Sequence, residues 1–160
     1  MIQYIISGGQ TGADQAGLQV ALDHSIKTGG WSAHGWLTKD GPNQELLQGR
    51  YNLKEHTGGY KQRTHENAKV SDGTIRCCVD FFSPGEICTL NGIKKFKKPH
   101  FDIYLPQPAS HKDLLIWLLR YNIKVLNVAG NTQGTKGFDI YTMTYNYLDQ
   151  FLIYLRRIRG

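Results

Sequence analysis

At 160 residues, with 40% hydrophobic and 20% charged residues, the chain has the size and composition expected of one globular domain spanning 1–160. It contains no apolar run near the roughly 20 residues a membrane span needs, and its first residues do not read as a secretory leader, so a cytoplasmic protein with no membrane partner is expected. The net charge of +6, from 19 Lys and Arg against 13 Asp and Glu, favours an anionic partner.

In chain order, Ile2 to Ile6 reads as a β-rich apolar strand that runs into the glycine turn Ser7-Gly8-Gly9-Gln10-Thr11-Gly12. A helix over Ala13 to Asp23 follows, with Leu18 and Leu22 four apart on one face. From Thr28 to Lys54 no period is visible. Trp31 and Trp36 argue against disorder there, which leaves a functional loop over the edge of a sheet. If Tyr60 to Asn67 is helical, Arg63 and Asn67 share a face. Ser71-Asp72-Gly73-Thr74 leads into a strand over Thr74 to Phe82, and Pro99 and Pro106 flank another over Phe101 to Leu105. Ser110 and Asp113 form an S-x-x-D cap ahead of Leu114, Leu115, Trp117 and Leu118. A fourth strand covers Lys124 to Ala129, and a last amphipathic helix runs from about Phe138 to Arg157. This alternation predicts an α/β fold with a parallel sheet and helices on both faces.

The cysteines and basic clusters carry little chemistry. Cys77 and Cys78, if in a strand, point to opposite faces and cannot chelate one metal, and no Cys or His spacing suggests zinc. Lys94-Lys95-Phe96-Lys97-Lys98 and Arg156-Arg157-Ile158-Arg159 fit a solvated helix end and a terminal tail, so nucleic acid is not the expected partner.

Open parallel sheets bind ligands at the carboxyl ends of their strands. Two turns have the composition for it. In the first, Gly8, Gly9 and Gly12 would let backbone N–H groups approach an anion at a helix start, although the run lacks the lysine of a Walker A loop; alternatively it is a tight turn with Thr11 as N-cap. In the second, Asn127, Gly130 and Asn131 suit hydrogen bonds to a ribose, heterocycle or phosphate, or form an ordinary turn. Arg63 could fork two bonds to a phosphate or pair with Glu66 or Asp72 on the surface. Asp14, Glu66 and Glu86 are candidate acids, each read in preference as an acid near a helix start that complements the dipole. The six histidines are scattered, and no nucleophile with its base stands out, so the sequence shows no catalytic set.

The ordered runs SGGQTGAD, GGW, DGP, Y-x-QRT-x-x-N, SDGT and LNVAG resemble the molybdenum-carrier family, a circularly permuted branch of the Rossmann-like SLOG group. The resemblance implies a Rossmann-like three-layer α/β domain with a mostly parallel central sheet, often assembled as a homo-oligomer. It implies that the chain binds molybdenum cofactor or another nucleotide-derived, phosphate-bearing ligand. Carried onto this chain, Gly8, Gly9, Thr11 and Gly12 would cradle the phosphate, Gln10 and Asp14 would be further ligand-binding residues, and the Trp31 loop would cover the ligand end of the sheet. Arg63, Asn67, Asp72 and Thr74 would face the cleft, and Asn127, Gly130 and Asn131 would form its opposite wall. Where the family shows a GGT-type phosphate loop, this chain has Ser83-Pro84-Gly85-Glu86-Ile87-Cys88-Thr89, with an acid in the loop. The expected function is non-catalytic binding or carriage. The alternatives are a sponge for an ADP-ribose-type or cyclic-nucleotide immune signal, and a nucleotide phosphoribohydrolase.

Overall fold

A computed structural model describes all residues, Met1–Gly160. The chain is an α/β protein of Rossmann-like architecture. Its central sheet has five parallel strands: β1 (Tyr4–Ile6), β2 (Lys27–Gly29), β7 (Gly73–Cys78), β8 (His100–Tyr104) and β9 (Val125–Gly130), in the order β2-β1-β9-β7-β8. The helices are α1 (Ala13–Asp23), α2 (Tyr60–Val70), α3 (Pro84–Lys95), α4 (His111–Arg120) and α5 (Ile140–Arg159). None of them is long and apolar enough to cross a membrane.

Period-two alternation in β7 gives the sheet two chemically different faces. Ile75 and Cys77 point to one side with Ile5, Leu126 and Val128, and join a 21-residue apolar core completed by α1, α4 and α5. Thr74, Arg76 and Cys78 point to the other side, beneath α2 and α3, and that side is polar. The two cysteines therefore share no face. Both are buried, and burial pushes both thiols up, which leaves them unreactive.

The aperiodic stretch 28–54 is ordered. It completes β2, which sequence periodicity alone does not reveal because a three-residue edge strand is too short to show a period. It then forms β3 (Trp31–Ser32), the antiparallel pair β4 (Leu37–Thr38) and β5 (Gly41–Pro42), a wide helical turn at Glu45–Arg50, and β6 (Lys54–Glu55), which pairs parallel with β3. Trp36, Leu47, Tyr51 and Leu53 pack with Leu18 of α1 into a second, small core, so the excursion is anchored by its apolar residues.

The four expected strands shift their ends: β1 begins at Tyr4 rather than Ile2, and β9 runs from Val125 to Gly130 rather than from Lys124 to Ala129. β7 stops at Cys78 rather than Phe82, because the N–H groups of Val79 and Asp80 turn to donate to Asn131 Oδ1 at 2.7 and 3.0 Å. β8 ends at Tyr104. The Ser110 cap forms as the sequence indicates, its Oγ accepting from Asp113 N at 3.1 Å.

Candidate functional site

A cavity of about 370 Å³ opens at the carboxyl ends of β1, β9 and β7 and extends under α2 and α3 along the polar face of the sheet. This is where chain direction reverses: β1 leads through α1 to β2 on one side, and β7 leads through α3 to β8 on the other. Gly8, Gln10 and Asp14 line it from the first turn, Tyr60, Arg63, Thr64 and Asn67 from α2, and Ser83 to Glu86, Cys88 and Thr89 from α3 and its approach. Asn127 to Thr132 and Thr135 complete it from β9 and its turn.

The glycine turn is built differently from a phosphate cradle. The Gln10 N–H donates to Asp14 Oδ2 at 3.1 Å, so a carboxylate of the chain itself occupies the loop. Gln10 Oε1 accepts from Thr11 N at 2.9 Å and from Lys39 N at 2.7 Å, tying the turn to the excursion. Gly9 backs onto Leu47 and Leu53 of the small core. Gly12, at φ 94°, presses against the second turn: a Cβ there would lie 2.5 Å from Asn131 O and 2.6 Å from Gln133 N. Gly12 therefore brings two loops together, and neither it nor Gly9 or Thr11 lines the cavity. Thr11 is not the N-cap of α1; that position is Gly12, and Thr11 Oγ1 is buried without a partner.

Arg63 lies across Gly8, where any Cβ would collide with the guanidinium, so the glycine is what lets the arginine reach the cavity wall. Its Nη1 donates to Thr64 Oγ1 at 2.8 Å and stands 3.9 Å from Asp14 Oδ2, and the ring of Tyr60 lies 5.5 Å from its charge. Its Nε is buried with no partner. The acid beside Arg63 is thus Asp14, not Glu66 or Asp72. Glu66 instead stands 4.0 Å from His56.

Two of the three asparagines expected to face a ligand are largely committed to backbone. Asn67 accepts from Trp31 N at 2.8 Å and donates to Trp31 O at 3.0 Å, clamping α2 to β3. Asn131 accepts from Val79 and Asp80 and donates to Asp80 O at 2.8 Å, stapling the ends of β7 and β9. Asn127 donates to Thr74 Oγ1 at 3.1 Å across the sheet. Asn127, Gly130 and Asn131 do line the cavity, whereas Thr74 lies buried beneath it.

Two expected residues lie elsewhere. Asp72 is at the opposite, amino end of the sheet, where its Oδ2 accepts from Lys124 N at 3.0 Å and Val125 N at 2.8 Å and fixes the start of β9. Trp31 packs edge-on against His56, with ring centroids 5.5 Å apart, and no residue of its loop reaches the cavity lining.

The cavity holds one group whose environment the sequence does not reveal. Glu86, 3% exposed, turns under α3 onto the polar face, and its Oε1 has no hydrogen-bond partner. Burial, reinforced by the charge of Asp14, pushes its carboxyl up to about 7 despite the lowering influence of Cys78 and Arg76. Burial likewise raises Asp14, against the opposing pull of Arg63 and of the turn's N–H groups. Arg76 does not neutralise Glu86. Its Nε and Nη2 fork onto Asp102 at 2.8 and 2.7 Å, and only its Nη1 touches the Glu86 carbonyl, at 3.4 Å. A period-two reading of Thr74-Ile75-Arg76-Cys77-Cys78 could have placed Arg76 on a polar, helix-covered face. No group of three or more His, Cys, Asp or Glu side chains is disposed to hold a metal ion.

The five-stranded sheet and the polar cleft at its reversal define an open α/β protein with a preformed cavity at the carboxyl ends of its strands. Residues 5–152 match the circularly permuted YpsA SLOG family, and the chain belongs to that family. A solved structure from Syntrophus aciditrophicus SB, named "Putative molybdenum carrier protein", is 37% identical and superposes with a TM-score of 0.82, covering 94% of this chain and 95% of that one. No curated protein matches the chain.

Proposed function

We propose that the chain is a non-catalytic binder of a phosphate-bearing small molecule, acting as a single ligand-binding domain, with molybdenum cofactor or another nucleotide-derived compound as its cargo. The observation that carries this reading is Arg63, laid over Gly8 with a buried, unpartnered Nε and an aromatic neighbour at the mouth of a polar cavity. A guanidinium so held suits a phosphate, which it can contact through two parallel N–H bonds. The name of the Syntrophus protein supports carriage of molybdenum in this family. Three free thiols fit a reducing cytoplasm, and we expect a homo-oligomer.

The test is to release and identify by mass spectrometry whatever co-purifies with the protein, then repeat with Arg63→Ala. A phosphorylated pterin or nucleotide that is retained by the native chain and lost by the variant is expected. An ADP-ribose-type or cyclic-nucleotide ligand would redirect the reading towards sequestration of a signal. A ligand without an anionic group would overturn it.

A second reading, hydrolysis of the N-glycosidic bond of a nucleotide, draws on Asp14 and Glu86, two buried carboxyls with raised pKa in one cavity. Incubation with nucleoside monophosphates separates the two: free base and ribose phosphate appear for a hydrolase, and the nucleotide returns intact from a carrier.

A further inference from the structure

Glu86 lines the cavity from α3, with its side chain buried. Its Oε1 is buried without a donor. Arg76 is forked onto Asp102 and the guanidinium of Arg63 stands beside Asp14, so neither arginine pairs with Glu86. A polar cavity with an unanswered buried acceptor suits a donor. An anion is disfavoured beside the Glu86 carboxyl, whereas at the other end the Arg63 guanidinium, 3.9 Å from Asp14 Oδ2, offsets that acid. The phosphate of the proposed ligand therefore belongs near Arg63, and the far end of the molecule must carry N–H groups. A carboxylate matches a flat ring edge with an amino group next to a ring N–H, since both donors lie in one plane and point the same way.

Building on the phosphate-ligand reading, we propose that Glu86 is the specificity-determining residue of this cavity and recognises the 2-amino, ring N–H edge shared by guanine and pterin. Recognition follows from hydrogen bonding: a ligand lacking the 2-amino group leaves the buried oxygen under-satisfied and binds more weakly.

The experiment is isothermal titration of the full chain and of Glu86→Gln with guanosine, inosine, their 5′-monophosphates and neopterin. Inosine differs from guanosine only by the missing 2-amino group. The native chain is expected to prefer guanosine over inosine by about tenfold, a charge-assisted hydrogen bond's worth, and the variant to bring that ratio towards unity. Thermal melting of the variant confirms that it folds, and Glu86→Leu, of similar size but without an acceptor, should repeat the loss. Tighter binding of neopterin than guanosine identifies a pterin as the source of the edge, and the reverse identifies a guanine nucleotide; either supports the assignment. The proposal is overturned if guanosine and inosine bind the native chain alike, if the variants keep the ratio, or if neither nucleoside nor neopterin binds. The phosphate reading fails separately: nucleosides and their monophosphates would then bind equally, with the dependence on Glu86 intact.

Discussion

The two faces of the sheet solve different problems with the same backbone. Ile75, Cys77, Leu126 and Val128 seal one face against α1, α4 and α5, where burial of apolar area supplies most of the stability. Thr74, Arg76, Cys78 and Asn127 face α2 and α3 and leave a polar cavity with two sealed carboxyls. The contrast shows where this chain gives up stability. The polar face carries Glu86, whose ionisation opposes folding at neutral pH.

Substitutions can sharpen or break that contrast. Phe151→Ala, which empties a 1% exposed position under the apolar face, should cost about 3–5 kcal/mol in denaturant unfolding. A loss below about 1 kcal/mol would mean that this face is not the main core. Glu86→Gln should act in the opposite direction and depend on pH. The carboxyl titrates near 4.5 when unfolded and at about 7 when folded among Cys78, Asp14, Arg76 and Asp102, so the folded state binds the extra proton in between. Stability should therefore fall as pH rises from 4.5 to 7, by roughly 3 kcal/mol, and stay low above that. Glu86→Gln should flatten this part of the curve and unfold at higher denaturant than the native chain at pH 8. Equal slopes from pH 5 to pH 8 in both proteins would show that Glu86 is not sealed.

Smaller effects probe how the site is framed. Asn131→Ala removes three hydrogen bonds between the ends of β7 and β9 and should cost about 2 kcal/mol, with faster amide exchange confined to Val79 and Asp80. Asp72→Ala, at the far end of the sheet, should cost about 1 kcal/mol and leave the affinity of any cavity ligand unchanged. A change in affinity there would contradict the placement of the site at the carboxyl ends.

Much of this organisation is legible in the residues themselves. The glycine turn, the α1 pattern, the Ser110 cap and the strand over Lys124 to Ala129 are local signals, and local signals survive folding. What sequence hides is how each polar side chain is used. Asn67 and Asn131 look like ligand contacts, yet their amides are matched to backbone groups 36 and about 50 residues away, pairings that no local pattern encodes. Gly12 looks like part of a cradle, yet its φ and bare Cα serve the contact with the second turn. Asp72 was readable in principle, because a residue just before a parallel strand lies at its amino end, away from the ligand side. Glu86 was not, because nothing in Ser-Pro-Gly-Glu tells whether the carboxylate rises into water or folds under its helix.

The placement of β1 between β2 and β9 has a consequence for the order in which the molecule can assemble. The chain's first strand gains its inner neighbour only from residues 121 positions further on, as the Ser7 to Val128 hydrogen bond records. Closing that loop comes late and costs chain entropy before any contact repays it, so folding should be slow for a protein of this size. On the ribosome, β1, α1 and β2 emerge with the inner edge of β1 unpaired until β9 has been made. During synthesis that edge is the molecule's most exposed template for pairing with another chain.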